Sequence, residues 1–464
     1  MEKKLSMSDH PKFAVHPDCP DVRRLGGNRF ERMLRAEAAA VEAENLAERD
    51  KLRMLNDLEE QQQDGRGVTR RTFVAGAAAV TTALATSQFV STRASFAATP
   101  TGTLIHVFLY GGLDGLALVA PANDPVLARV RPDQLLPENG SIALNRNFML
   151  TGSFAPLQRF LDAGQLGFVP AVTDPRLSLS HFQAADACNL GGLPGETGGR
   201  GFLDSLVDVL GPGSAFRSVG IGNTLPRSLV GTNGALALGS VGSFNLNGDD
   251  RFKAATAKAI GSLFTGINHP VQESVRDGLK ALGLAQKLAA DGYEPAEGVE
   301  YQGIGYAFQQ LAHLIKGGAN VRVATIGMGG WDTHENQGTR EGYVFNHLGE
   351  LASAMSAFFT DLGDRAANVT VMVSSEFGRR VSQNGSGTDH GHGGVVCILS
   401  GKRLAGSLLG RWEGLDELDG GNVPEYNNMF NVFGSVMQGR FGLTNAEVDK
   451  IFPRQKYAPV KLFA

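Results

Sequence analysis

Three times in this chain a mostly apolar, strand-like run stops in a glycine-rich segment that carries acids and histidines. Residues 103–110 lead into Gly111-Gly112-Leu113-Asp114-Gly115, and residues 321–327 lead into Gly329-Gly330-Trp331-Asp332-Thr333-His334-Glu335-Asn336. Residues 369–373 lead into Ser374-Ser375-Glu376-Phe377-Gly378-Arg379, followed by Thr388-Asp389-His390-Gly391-His392-Gly393. Strands that are apolar throughout are buried on both faces, as in a parallel sheet covered by helices. Ligands bind such sheets at the carboxyl edge. Asp114, Asp332, His334 and Glu376 are therefore expected there, with Asp389, His390 and His392 on the loop beyond. Each of these residues alone reads equally well as a turn residue that satisfies its own loop. Turn residues have no reason to recur at three strand ends, however. Carboxylate oxygen and imidazole nitrogen are the usual non-thiolate ligands of a divalent metal, which the joint pattern favours.

A further apolar run, 166–172, precedes Ser178-Leu179-Ser180-His181-Phe182 and a helical stretch to Leu190. Ser180 suits a helix N-cap. The alternative is a nucleophile at a helix start, where free amides and the helix dipole favour an anionic substrate. Apolar stripes at Val271, Val275, Leu279 and Leu282, at Ile304, Phe308, Leu311 and Ile315, and at Val344, Leu348, Leu351, Met355 and Phe358 predict core-facing helices. Residues 394–399 read as a strand, and 424–440 as a closing helix capped by Asn422 with proline near its first turn. The alternation predicts one α/β/α sandwich around a mostly parallel sheet, spanning 98–464. The 60 glycines gather in loops between apolar runs, which favours an enzyme-like loop surface over a helical bundle.

The first 97 residues differ in character. Residues 1–67 form a charged prefix, helical or disordered, whose apolar positions are too scattered to bury much. Residues 68–97 then read as a twin-arginine export signal: Thr69-Arg70-Arg71-Thr72-Phe73-Val74 opens an apolar run to Val90, and Ser95-Phe96-Ala97 ends it with small residues. A buried or membrane-spanning helix is the competing reading. Gly76, Thr81, Thr82, Thr86, Ser87 and Gln88 leave the run only mildly apolar, at the short limit for a span of about 20 residues. The expectation is export to the periplasm or the extracellular space, with the twin-arginine translocase as partner and no stable membrane anchor. The late position of the signal leaves two readings, a cytosolic extension or a later translation start. Lysine plus arginine number 43 against 47 acids, a formal charge of -4, too balanced to imply nucleic acid or an anionic membrane. Of the three cysteines, Cys19 lies in the prefix, and Cys188 and Cys397 are expected as buried thiols.

GGLDG at 111–115, SHF at 180–182, GGWDTHENQ at 329–337, and SEFGR with GTDHGHGG at 374–394 together resemble the DUF1501 family, over nearly the whole chain after the signal. That family is similar to the alkaline phosphatase and sulfatase superfamily. The resemblance implies an alkaline-phosphatase-like sandwich, one or two divalent metals at the strand ends, and a hydroxyl nucleophile at a helix start. Asp114 then resembles the first-strand metal aspartate and Ser180 the nucleophile. Asp332 with His334 resembles a ligand pair, and His390, with His392 beside it, the late histidine ligand. The chain departs from the phosphatase pattern in two places. Asp332 and His334 are two apart rather than four, and Glu376-Phe377 stands where an Asp-His pair is found, with Asp389 available from the loop.

Two functions follow. The first is an exported metal-dependent hydrolase of small phosphate or sulfate esters, using zinc first, or Mn, Mg or Ca, with Ser180 as nucleophile. Arg379 would neutralise substrate charge, or else lie at the surface or pair with Glu376. The second is an exported binding or assembly module that kept the fold and lost the chemistry. Its partner would be a DUF1800-type protein, since members of the two families are often encoded side by side.

Overall fold

Thirteen strands are found among the described residues, which in the computed structural model are 102–193, 195–246, 250–265, 271–454 and 456–464. They are β1 (Thr103–Leu109), β2 (Val119–Pro121), β3 (Ile142–Ala143), β4 (Phe148–Leu150), β5 (Leu166–Thr173), β6 (Ser218–Ile221), β7 (Leu236–Leu238), β8 (Val323–Met328), β9 (Val369–Ser375), β10 (Gly378–Asn384), β11 (Gly387–Gly391), β12 (Gly394–Ser400) and β13 (Asn427–Asn428). The helices are α1 (Gly115–Leu118), α2 (Pro125–Val130), α3 (Gln158–Asp162), α4 (His181–Leu190), α5 (Phe202–Leu210), α6 (Asp250–Leu263), α7 (Val271–Asp291), α8 (Gly305–Lys316), α9 (Tyr343–Leu362), α10 (Met429–Phe441) and α11 (Asn445–Ile451). The expected prefix and export signal lie outside the described residues.

Eight strands form the main sheet in the order β13-β5-β12-β9-β1-β8-β6-β7. Only β12 runs against its neighbours. The architecture is thus a mostly parallel α/β/α sandwich. Period-two alternation sorts each strand between two cores. Ile105, Val107 and Leu109 of β1, with Val371 and Val373 of β9, face a core completed by α7, α8 and α9. Leu104, Phe108 and Met372 face the other, completed by α4, α5, α10 and α11. At an apolar transfer value of about 25 cal/mol per Å2, burial on both faces stabilises such strands far more than local propensity does.

Two local expectations are corrected. The segment after β9 is not an open loop. It is a hairpin, β10 and β11, with Arg379 paired opposite His390. The closing helix begins at Met429 rather than near residue 424, because Asn427 and Asn428 first pair with β5 as β13. Asn428, not Asn422, caps that helix by accepting from the amides of Phe430 and Asn431. Cys188 and Cys397 are free and buried.

Candidate metal centre

Since β1, β8 and β9 are parallel neighbours, their carboxyl ends share one edge. Two reversals through β12 give β5 the same direction, so the segment leading to α4 arrives at that edge too, as does the hairpin that feeds β12. Close approach of these loops requires glycine. Gly111 has φ +123, and a Cβ there would lie 2.4 Å from the Asp332 amide nitrogen. A Cβ on Gly387 would stand 2.3 Å from the carbonyl of His334, which binds the hairpin tightly against the loop after β8.

Asp332 is the focus. Its Oδ1 lies 2.9 Å from Arg379 Nη2, 3.1 Å from His334 Nε2, 3.2 Å from His390 Nε2 and 3.4 Å from His181 Nε2. Its Oδ2 is buried without a hydrogen-bond partner. Burial opposes ionisation of this carboxyl. The Arg379 guanidinium at 2.9 Å favours its ionised form against that burial.

The far side of each ring meets an acceptor. His181 Nδ1 is 2.7 Å from Glu376 Oε1, His390 Nδ1 is 2.9 Å from the Leu179 carbonyl, and His334 Nδ1 is 3.3 Å from Asp389 Oδ1. A carbonyl or carboxylate oxygen cannot donate, so each Nδ1 carries the hydrogen and each neutral ring turns a hydrogen-free Nε2 towards Asp332. The Nε2 atoms of His334 and His390 are 3.0 Å apart, too close for both to bear hydrogen. Lone pairs facing one another and a carboxylate repel, and a cation among them removes that repulsion. Acceptor-held imidazoles are the usual outer support of metal-ligating histidines. The donor set therefore fits a divalent cation, with His181, Asp332 and His390 offering ligand atoms within 4.8 Å of one another and His334 beside them.

The other expected site residues take different places. Glu376 is buried, accepting from the Gly111 amide at 2.8 Å, from Ser375 Oγ at 2.9 Å and from His181, so it orients a ring instead of facing the centre. Asp389 is 44% exposed and orients His334 in the same way. Asp114 caps α1 and pairs with the buried Arg131. His392 sits 3.4 Å from Thr173 Oγ1, and burial pushes its ring below the usual value against the pull of Asp419 and Asp174.

Of the three readings of Arg379, a contact to substrate charge, a surface residue or a partner of Glu376, its burial overturns the surface one. Its side chain is 0% exposed and donates to the carbonyls of Gly112, Thr388, Gly111 and Trp331 as well as to Asp332. Ser180 occupies the cap position of α4, but its hydroxyl makes no capping bond. His181 escaped the sequence reading, although it directly follows Ser180 after an apolar run, the position where a strand end meets a helix start. A separate cleft of about 540 Å3, lined by Leu116, Asp124, Arg131, Met149 and Arg340 among others, touches none of the three histidines.

A mostly parallel α/β sandwich with imidazoles and a carboxylate gathered at its carboxyl edge defines a class, an α/β protein with a candidate divalent-metal centre. The chain belongs to the DUF1501 family, described as a protein of unknown function, whose model matches residues 171–417, more than half of the chain. Asp114 lies outside that span, and the three histidines and Asp332 lie within it. No curated protein matches the chain. Among solved structures, it is similar to Ps i-CgsB in complex with k-i-k-neocarrahexaose (10% identity, 75% of this chain and 73% of that one, TM-score 0.33). It is also similar to the PsFucS1 sulfatase from Pseudoalteromonas sp. (12% identity, 66% and 64%, TM-score 0.30). A third likeness is to alkaline phosphatase from the Antarctic bacterium TAB5 (11% identity, 77% and 99%, TM-score 0.26). At these scores none supports an assignment of substrate.

Proposed function

We propose that the protein is a metal-dependent hydrolase of phosphate or sulfate esters, with His181, Asp332 and His390 holding a divalent cation and His334 beside them. The observation that carries this reading is the convergence of three imidazole Nε2 atoms on Asp332, each ring held from behind by an acceptor. When bound, such a cation supplies polarisation of the ester oxygen and a lowered hydroxyl pKa, with zinc the first candidate and Mn, Mg or Ca the alternatives. Ser180 is assigned as the nucleophile. Its hydroxyl is not used as a cap and precedes His181 in the chain. Its oxygen forms the new bond to sulfur or phosphorus as the bond to the leaving alcohol breaks and takes up a proton. Water then cleaves the seryl ester, returning the free hydroxyl and the sulfate or phosphate. Arg379 is assigned to positioning Asp332. The assay is turnover of aryl sulfates and aryl phosphates with and without each metal, in wild type and Ser180→Ala. Metal-dependent turnover that disappears in a Ser180→Ala protein retaining its metal supports the reading. No turnover of either ester by metal-loaded wild type sinks it.

A specific observation also favours the binding-module reading. The guanidinium nearest the centre is enclosed by carbonyls and Asp332, leaving it no face for an anionic substrate. In that reading the partner is a DUF1800-type protein, and co-purification of the two without ester turnover would establish it.

Export by the twin-arginine pathway is part of the proposal, resting on Arg70 and Arg71 before a mildly apolar run, with 98–464 as the mature domain. Among the described residues no helix is long and apolar enough to cross a membrane. Arg70→Lys with Arg71→Lys keeps charge but removes the planar guanidinium, so the double variant is expected to stay in the cytoplasm while wild type is cut near Ala97. Normal export and cleavage of the variant would refute the assignment.

A further inference from the structure

The carboxylates at this edge are unequally committed, and their accounts limit how many cations the edge can take. Asp114 Oδ2 lies 2.9 Å from Arg131 Nη1 and accepts from Gln337 Nε2 at 2.7 Å, while its Oδ1 accepts the Leu116 amide at 3.2 Å. The pair with Arg131 is almost entirely buried, each side chain 1% exposed. Arg131 is itself fixed, donating to the carbonyls of Val381 at 2.6 Å and Arg380 at 2.7 Å. The Gln337 amide is oriented too, because Thr388 Oγ1 donates to its oxygen at 2.7 Å and so turns its nitrogen towards Asp114. Glu376 has donors on both oxygens. Among the carboxylates expected from the sequence to bind metal, Asp332 alone has a buried oxygen without a partner.

We propose that the edge holds one divalent cation per chain and that the buried Arg131 guanidinium, not a second metal, is the permanent counter-charge of Asp114. This rests on the metal-centre reading above. Stripping Arg131 from a buried carboxylate to admit a second cation would leave a buried guanidinium unpaired, which is strongly unfavourable. A neutral double replacement, Asp114→Asn with Arg131→Met, removes both charges together and leaves the histidines untouched.

The experiment counts metal on the full chain after chelator treatment and reloading with zinc, and separately with Mn, Mg or Ca, by elemental analysis and by calorimetric titration. One equivalent in wild type, its loss in His390→Ala, and an equivalent retained within about threefold of wild-type affinity in the double replacement are the expected results. Two equivalents in wild type overturn the proposal, as does loss of the equivalent in a folded double replacement. Wild type that binds no zinc and none of Mn, Mg or Ca overturns the metal centre itself. The wild-type count decides the matter even where the double replacement does not fold.

Discussion

At the scale of single residues, the centre separates groups that touch the common point from groups that only aim others. His181 belongs to the first kind and His392, against Thr173, to neither. His181→Ala is therefore expected to weaken zinc binding by at least a hundredfold, while His392→Ala leaves it within about threefold, measured by competition with a chromogenic chelator. Glu376 belongs to the second kind, holding the His181 Nδ1–H at 2.7 Å. Loss of such outer support typically costs 10–100-fold in metal affinity. Glu376→Gln should fall in that range, short of the loss in His181→Ala. Equal losses in the two variants would make Glu376 a direct ligand and reverse the geometry described here.

At the scale of elements, two buried side chains tie the sheet to its surroundings. Arg379, at the start of β10, binds carbonyls from the β1 loop, the β8 loop and β11. It also pairs with Asp332. Removing one partner of a buried pair typically costs about 3–5 kcal/mol, so Arg379→Met should lower the unfolding free energy, read from a denaturant titration, by an amount of that order. A change below about 1 kcal/mol would show that the clamp is dispensable. His106, in the middle of β1, is fully buried against Phe108, Phe202 and Phe433, with Nε2 2.9 Å from Ser374 Oγ. Burial lowers its pKa from 6.5 to about 3. Between those values the unfolded chain binds the proton and the folded protein does not, so stability falls as pH drops from 6.5 towards 3. The slope is up to about 1.4 kcal/mol per pH unit. His106→Leu removes this term, and its stability profile over that window should be shallower by up to one proton. Parallel profiles would contradict a neutral, buried ring.

At the scale of the whole molecule, the centre joins segments from distant parts of the chain, so a ligand there is linked to global stability. His181 meets Glu376 across 195 positions and Gln337 meets Asp114 across 223. Metal at a hundred times its dissociation constant stabilises a folded state that alone binds it by about 2.7 kcal/mol. Chelation should therefore lower the thermal midpoint, and zinc should restore it in wild type but not in His390→Ala. An unchanged midpoint on chelating a zinc-loaded sample would separate the centre from the fold.

The sequence by itself determined what is local. Nearly continuous apolar runs such as 103–110 and 369–373 specify strands buried on both faces, because no single-faced sheet tolerates so few polar positions. Their register then sets Leu109 opposite both Met328 and Ser375, which brings the expected acids and histidines to one edge. Tertiary structure decided the rest. Asp332, His334, Glu376 and His390 all end near that edge, yet only the paths of the loops decide which side chains face inward. Glu376 was legible as a strand-end acid, but not as the support of His181, since that depends on where α4 begins. Nothing nearby in sequence reveals the four carbonyls that enclose Arg379. Asp114 looked like a ligand for the same reason. Its counter-charge lies only 17 positions away, yet whether Arg131 turns inward depends on carbonyls of Arg380 and Val381 that the chain brings across later. Burial periodicity is written along the chain, whereas the partner of a buried charge is chosen by three-dimensional packing.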